Sequence, residues 1–259
     1  MDLRLSNKKA FISGGTHGIG LEIAKYLGKE GCDVIICSRT QERLDTASSI
    51  LSEMNIKTLG LKCDVNIKQD IENCIDYIND KVGVIDILIN NVGGGGSWGS
   101  EDILSTDENV WDEVYDKNVT AAVKFTNGFL SGMLNNNWGR VITITSTFGL
   151  EAGGRPWFNL AKTAQTALMK NYSKNKKFVK NGVTFNSVAP GPIDIPETGW
   201  ATKKLEPDFE EFINTLIPMG RLGKPEDIAC IVAFLASPLS NYINGASITV
   251  DGGTSTTFG

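Results

Sequence analysis

Short runs of β-branched and apolar residues alternate with longer amphipathic stretches along the whole 259-residue chain. This alternation limits the fold more than any other feature. It is the pattern of repeated strand–helix units, which build a parallel sheet covered by helices on both faces. The predicted strands are residues 9–13, 33–38, 58–63, 85–90, 141–145, 183–188 and 247–250. Between them, residues 20–30, 41–54, 68–82, 107–134, 158–179 and 225–235 carry helical spacing, and Lys180-Asn181-Gly182 supplies a helix stop. No linker or internal repeat interrupts the series. The expectation is one α/β domain over residues 1–259, with a doubly wound parallel sheet of about seven strands; such folds often run to roughly 250 residues around one sheet.

Composition narrows the function classes. Apolar residues make up 41% of the chain and charged residues 21%, ordinary usage for a globular protein. The 25 basic and 30 acidic residues form no long block of one sign, so neither a nucleic acid nor an anionic membrane is an expected partner. The N-terminus lacks a basic start followed by an apolar run, and no stretch approaches the roughly 20 apolar residues that span a bilayer, so the expected location is cytoplasmic. The five cysteines (Cys32, Cys37, Cys63, Cys74 and Cys230) form no CxxC pattern, and the single His17 cannot complete a zinc site. No metal is expected, and the thiols read as reduced core residues.

In an open parallel sheet the ligand crevice lies outside the carboxyl ends of the strands. Two irregular segments follow strands, the glycine-rich residues 93–100 and the proline-rich residues 190–207. A third candidate is sharper: the first strand runs into Ser13-Gly14-Gly15-Thr16-His17-Gly18-Ile19-Gly20 and then a helix. Glycines leave no Cβ between backbone and ligand, and a helix N-terminus offers unpaired N–H groups to a pyrophosphate. At the end of the second strand stands Ser38-Arg39 with no acidic residue. A carboxylate there would bind the ribose hydroxyls of NAD, whereas arginine pairs with the 2′-phosphate of NADP. NADP(H) is the expected cofactor.

The spacing Gly14-xxx-Gly18-x-Gly20 resembles the short-chain dehydrogenase/reductase family, including members similar to 3-oxoacyl-acyl-carrier-protein reductases, and the likeness continues in order over essentially the whole chain. Asp64-Val65 after the third strand, Asn90-Asn91-Val92-Gly93 after the fourth, and Pro190-Gly191 with Ile193 after the sixth match its pattern, as does Asp251-Gly252-Gly253. The resemblance implies a Rossmann-type fold. It also implies cofactor contacts at Gly14, Thr16, His17, Gly18, Ile19, Gly20, Ser38, Arg39, Asp64, Val65, Asn91, Gly93, Lys162, Pro190, Gly191 and Ile193. The catalytic set it implies is Asn118, Ser146 and Lys162, with Phe158 standing four residues before Lys162 where the family has a tyrosine. Phenylalanine fills that space but can neither donate nor accept a proton. Three accounts stay open here: an engineered Tyr→Phe change, a natural variant with another proton donor, or a protein that binds without turnover. Tyr172 and Lys176 repeat the Tyr-xxx-Lys spacing but fall too far beyond Ser146 and read as helix surface.

Near the expected site, Trp98, Trp157 and Trp200 offer flat apolar faces beside Glu151 and Arg155, a mixture that suits a compact hydroxylated small molecule such as a sugar derivative. Ile195 occupies the position where the family often has a threonine beside the nicotinamide amide, with Thr198 the candidate replacement. The expected function is NADP(H)-dependent interconversion of a carbonyl and a secondary alcohol. The alternative is a catalytically silent NADP(H)-binding sensor or regulatory module. The family likeness further implies a homo-oligomer, a tetramer or dimer.

Overall fold

The computed structural model describes residues 2–100 and 102–257. Its elements in chain order are β1 (Lys9–Ser13), α1 (Gly18–Lys29), β2 (Asp33–Ser38), α2 (Gln41–Glu53), β3 (Thr58–Lys62), α3 (Lys68–Tyr77), β4 (Ile87–Asn90), α4 (Glu108–Tyr115), α5 (Ala121–Asn135), β5 (Gly139–Ile144), α6 (Pro156–Ser173), α7 (Lys176–Lys180), β6 (Val183–Pro190), α8 (Gly199–Lys203), α9 (Phe209–Leu216), α10 (Pro225–Ala236) and β7 (Ser247–Val250). Among the described residues the strands form one seven-stranded sheet, in the order β3-β2-β1-β4-β5-β6-β7, with every pairing parallel. This is the doubly wound arrangement expected from the alternation, and the Rossmann type that the resemblance implies. The winding reverses between β1 and β4, and a crevice opens at such a reversal.

Strand periodicity explains the two cores. Ala10 and Ile12 of β1, with Val34 and Ile36 of β2, face one side and pack with Ile23 and Leu27 of α1 and Ile228 and Val232 of α10. Phe11 and Ile35 face the other side, where Phe11 meets Phe125 and Phe129 of α5 at 4.9 and 5.2 Å between ring centroids. Successive strand side chains point to opposite faces, so both faces need apolar cover, and the helices supply it.

The helical expectations need correcting in four places. The stretch 107–134 is interrupted by π-helical turns at Asp116–Thr120, and 68–82 ends in another at Ile78–Val82. The stretch 158–179 divides into α6 and α7 because the Asn175 side chain accepts from the Lys177 N–H and starts a new helix. Helices α8 and α9 lie in and just after the segment expected to be irregular. In α9 the apolar positions Phe209, Phe212, Ile213 and Leu216 follow helical spacing and join Trp200, Ile217 and Leu222 in a separate cluster. Cys230 also departs from expectation: it is exposed on α10, while the other four thiols are buried. No helix among the described residues is long and apolar enough to cross a membrane. Nor do those residues contain a group of three or more His, Cys, Asp or Glu able to hold a metal ion.

Candidate functional site

A cavity of about 490 Å³ lies at the carboxyl ends of the strands and takes lining residues from the ends of β2, β5 and β6 and from the loops that follow β1 through β6. At its β1 side the chain turns through Gly14 (φ 67°) into α1, whose first residue Gly18 has φ 53°. A Cβ on Gly20 would stand 2.3 Å from the Gly14 carbonyl oxygen and 2.5 Å from Asn91 Nδ2, so only glycine lets the helix approach the turn this closely. The turn is pinned from β4. Asn91 Nδ2 donates to the carbonyls of Ser13 and Gly14, both at 3.0 Å, and Ser13 Oγ accepts from the Asn91 and Val92 N–H groups. The result is a Cβ-free cradle at a helix N-terminus, where backbone N–H groups favour phosphate.

One end of the cavity is formed by Ser38 and Arg39 after β2 and by Asp64 and Val65 after β3. Cys37 and Cys63 line it as well. A hydrogen bond to Cys63, reinforced by burial, holds the Cys37 thiol well above the ordinary thiol range. Arg43 of α2, which also lines the cavity, bridges to Glu197 at 2.8 Å. Glu197 holds a φ of 61°, an uncommon conformation for a residue with a side chain.

The other end contains Ser146, Phe158 and Lys162. Ser146 follows β5 and accepts from the Phe148 N–H at 3.2 Å, which leaves its own hydroxyl proton available. Lys162 is 4% exposed; its Nζ donates to the Ile144 carbonyl at 3.0 Å and to Gln165 Oε1 at 2.9 Å. Burial, with the charge of Lys117 as the second cause, pulls its pKa down to about 7. Gln165 donates to the Asn118 carbonyl at 2.8 Å, and Asn118 Nδ2 donates to the Gly94 carbonyl at 2.9 Å. Lysine, helix and glycine loop are thereby joined in one relay of hydrogen bonds.

The expected cofactor residues converge on this cavity: Gly14, Thr16, His17, Gly18, Ile19, Gly20, Ser38, Arg39, Asp64, Val65, Asn91, Gly93, Lys162, Pro190, Gly191 and Ile193 all line it. Asn118 does not. It lies buried behind the loop and positions Gly94. Of the five expected substrate residues only Trp200 lines the cavity. Trp157 is buried, with its indole N–H donating to the Gly95 carbonyl at 3.2 Å. Arg155 donates to the Ser100 carbonyl at 2.7 Å, and Trp98 packs beneath Lys117. Glu151 accepts from the backbone N–H and hydroxyl of Thr256. These four brace the glycine-rich loop and the C-terminal segment, because a chain so rich in glycine has few side chains of its own to pack. Thr198 does reach the cavity, and Ile195 packs against Gly18. Tyr172 stays outside it: its ring stacks on Phe185 at 5.2 Å and its hydroxyl donates to Asn127, so it is half-buried packing rather than plain helix surface.

Lys117, Arg43, Gly94 and Gln165 are the main components that sequence reasoning missed. Lys117 sits beside Asn118 in the matched motif and could have been noticed there; Gln165 carries no signal beyond ordinary helix composition.

The profile of the family described as Enoyl-(Acyl carrier protein) reductase matches residues 14–255. Dehydrogenase/reductase SDR family member 4 of Mus musculus is 33% identical over 253 residues, covering 96% of this chain and 88% of its own. The 3-oxoacyl-acyl-carrier-protein reductase FabG of Aquifex aeolicus (strain VF5) is 31% identical over 257 residues, covering 98% and 99%. Among solved structures, the L-sorbose reductase of Gluconobacter frateurii complexed with NADPH and L-sorbose superposes with a TM-score of 0.90 at 28% identity, over 100% of both chains. A glycine cradle at the winding reversal, a serine after β5 and a lysine on α6, found together in a chain that these relatives match nearly end to end, place it in the short-chain dehydrogenase/reductase family of oxidoreductases.

Proposed function

We propose that the protein is an NADP(H)-dependent oxidoreductase that interconverts a carbonyl and a secondary alcohol on a small polar substrate of the sugar class. The observation that carries the reading is that a single cavity joins the glycine cradle and Arg39 at one end to Ser146 and Lys162 at the other. The residues present fit a dinucleotide. Cβ-free backbone at the α1 N-terminus suits a pyrophosphate, and the Arg39 guanidinium, with no carboxylate on β2 beside it, suits a 2′-phosphate. Asp64 and Val65 would flank the adenine, Asn91, Gly93 and Lys162 the riboses, and Pro190, Gly191 and Ile193 the nicotinamide. When bound, the reduced nicotinamide supplies a hydride.

The Ser146 hydroxyl donates to the substrate oxygen, and Lys162 exchanges a proton near neutral pH because burial lowers its pKa to about 7. The match to an L-sorbose reductase over the whole chain supports the sugar class, as does the lining by Thr198, Ser146 and Trp200. One observation favours a second reading, the catalytically silent NADP(H) sensor: the Phe158 ring lines the cavity beside Lys162, where a hydroxyl would be needed for proton transfer.

Calorimetric titration with NADPH and NADH, combined with NADPH turnover on a panel of ketoses and polyols, tests both. The enzyme reading expects tighter binding of NADPH, loss of most of that preference in Arg39→Ala, and turnover of at least one ketose. Equal or tighter binding of NADH overturns the cofactor assignment. Tight NADPH binding with no turnover of any substrate transfers support to the sensor.

A further inference from the structure

Arg39, Lys117 and Lys162 all line the cavity. Lys162 donates to Ile144 and Gln165, but the side chains of Arg39 and Lys117 make no hydrogen bond or ion pair with any described residue. Lys117 sits on the π-helical turn Asp116–Thr120, and its Nζ rests 4.5 Å from the centroid of the Trp98 ring. A Cβ on Gly94 would lie 3.6 Å from that Nζ, so the missing side chain leaves the ammonium room beside the loop. Burial lowers the Lys117 pKa, and the charge of Arg39 lowers it further, while Asp64 and Glu113 act in the opposite direction. The Asp64 carboxylate does not pair with it, since it caps the Asn66 N–H instead. Two cations that repel each other at one cavity, one of them desolvated against an indole, constitute a site whose charge is unbalanced until an anion enters.

We propose that Lys117 is a second cationic ligand for the 2′-phosphate of the cofactor, completing with Arg39 a clamp built from the β2 end and the π-helical turn. The inference rests on the NADP(H) reading above. The pyrophosphate is already served by the backbone cradle at α1, and Lys117, which lines the same cavity as Arg39, feels the charges of Arg39 and Asp64 from the β2 and β3 side as well as those of Glu113 and Lys162. A phosphomonoester dianion there satisfies both cations through charge-assisted hydrogen bonds.

The test is calorimetric titration of NADP⁺, NAD⁺, 2′,5′-ADP and 5′-AMP against the wild type, Lys117→Met, Lys117→Gln, Lys117→Arg and Arg39→Ala. Methionine keeps the aliphatic stem over Trp98, glutamine provides a second neutral variant, and thermal melting establishes that each is folded. Loss of one hydrogen bond to a charged group is worth about ten- to a hundredfold, so NADP⁺ and 2′,5′-ADP should weaken by that factor in both neutral variants, with NAD⁺ and 5′-AMP held within about twofold. Lys117→Arg should retain most of the affinity. Equal weakening of NADP⁺ and NAD⁺ would assign Lys117 to the pyrophosphate and overturn the proposal, as would no weakening at all. Failure of the underlying reading looks different: the wild type would show no preference for NADP⁺, and Arg39→Ala would change nothing.

Discussion

The Nζ of Lys162 lies 5.6 Å from the centroid of the Phe158 ring, one helical turn away on α6. Residues four apart on a helix share a face, so the aromatic ring and the buried ammonium present themselves to the cavity together. A phenolic oxygen at position 158 would sit under the field of that ammonium, which favours the ionised form and makes a phenol a better proton donor near neutrality.

Phe158→Tyr is therefore expected to raise the chemical step by about a hundred- to ten-thousand-fold, the usual worth of general acid–base assistance, with little change in NADPH affinity. Single-turnover kinetics alongside a binding titration separate the two quantities. Unchanged turnover in Phe158→Tyr, combined with its loss in Ser146→Ala, would mean that the protein uses a different proton route.

Lys162 gives a pH dependence with a defined sign. Its folded pKa of about 7 lies below the ordinary lysine value of 10.5, so between those values the unfolded chain binds more protons than the native one. Stability therefore rises with pH across that window, and the cost of burying the charge is fully present below pH 7. Urea denaturation of the wild type and Lys162→Met at pH 6.5, 7.5 and 8.5, about one unit apart through the transition, should show a positive slope in the wild type that the methionine variant lacks. Parallel slopes in the two proteins would contradict the buried-charge account.

Gly93 has a purely steric role to check. A Cβ there would lie 2.7 Å from Asn118 Oδ1 and 2.9 Å from Lys162 Nζ, two atoms fixed by their own hydrogen bonds. Gly93→Ala should cost about 1–3 kcal/mol of stability by overpacking and displace the lysine, seen as a lowered melting temperature and a changed pH profile. Gly199→Ala, where no atom lies within 4 Å, serves as the control and should melt with the wild type.

The fold was legible because two short-range periods carry it. Residues such as Phe11 and Ile12 are sorted to opposite faces by a period of two, and the helices by their 3.6-residue stripe. The cradle was legible because its chemistry requires glycine at particular positions. What escaped was decided by tertiary packing. A tryptophan next to a glycine-rich loop can face the ligand or fill the loop, and nothing local to Trp157 says that its N–H will meet the Gly95 carbonyl. Arg43 and Glu197 are 154 residues apart, and no pattern in either segment announces their bridge. The π-helical turn at Asp116–Thr120 is equally silent, since the same residues would serve in an α-helix.

That turn has a consequence for how the site can be lost. A π turn holds one more residue than the α turns around it, and here the Val114 carbonyl receives the Asn118 side-chain amide at 2.8 Å. Removing the codon for Asp116, Val119 or Thr120 would let α4 and α5 join as one α-helix with their outer faces kept in register, because the π turn takes up its extra residue locally. Lys117 and Asn118, inside the turn, would lose their present directions toward the cavity and the Gly94 carbonyl, while α5 kept Phe125 and Phe129 against Phe11. The arrangement is thus guarded by the count of residues as much as by their identity, a dependence that substitution scans would pass over and that a deletion would expose.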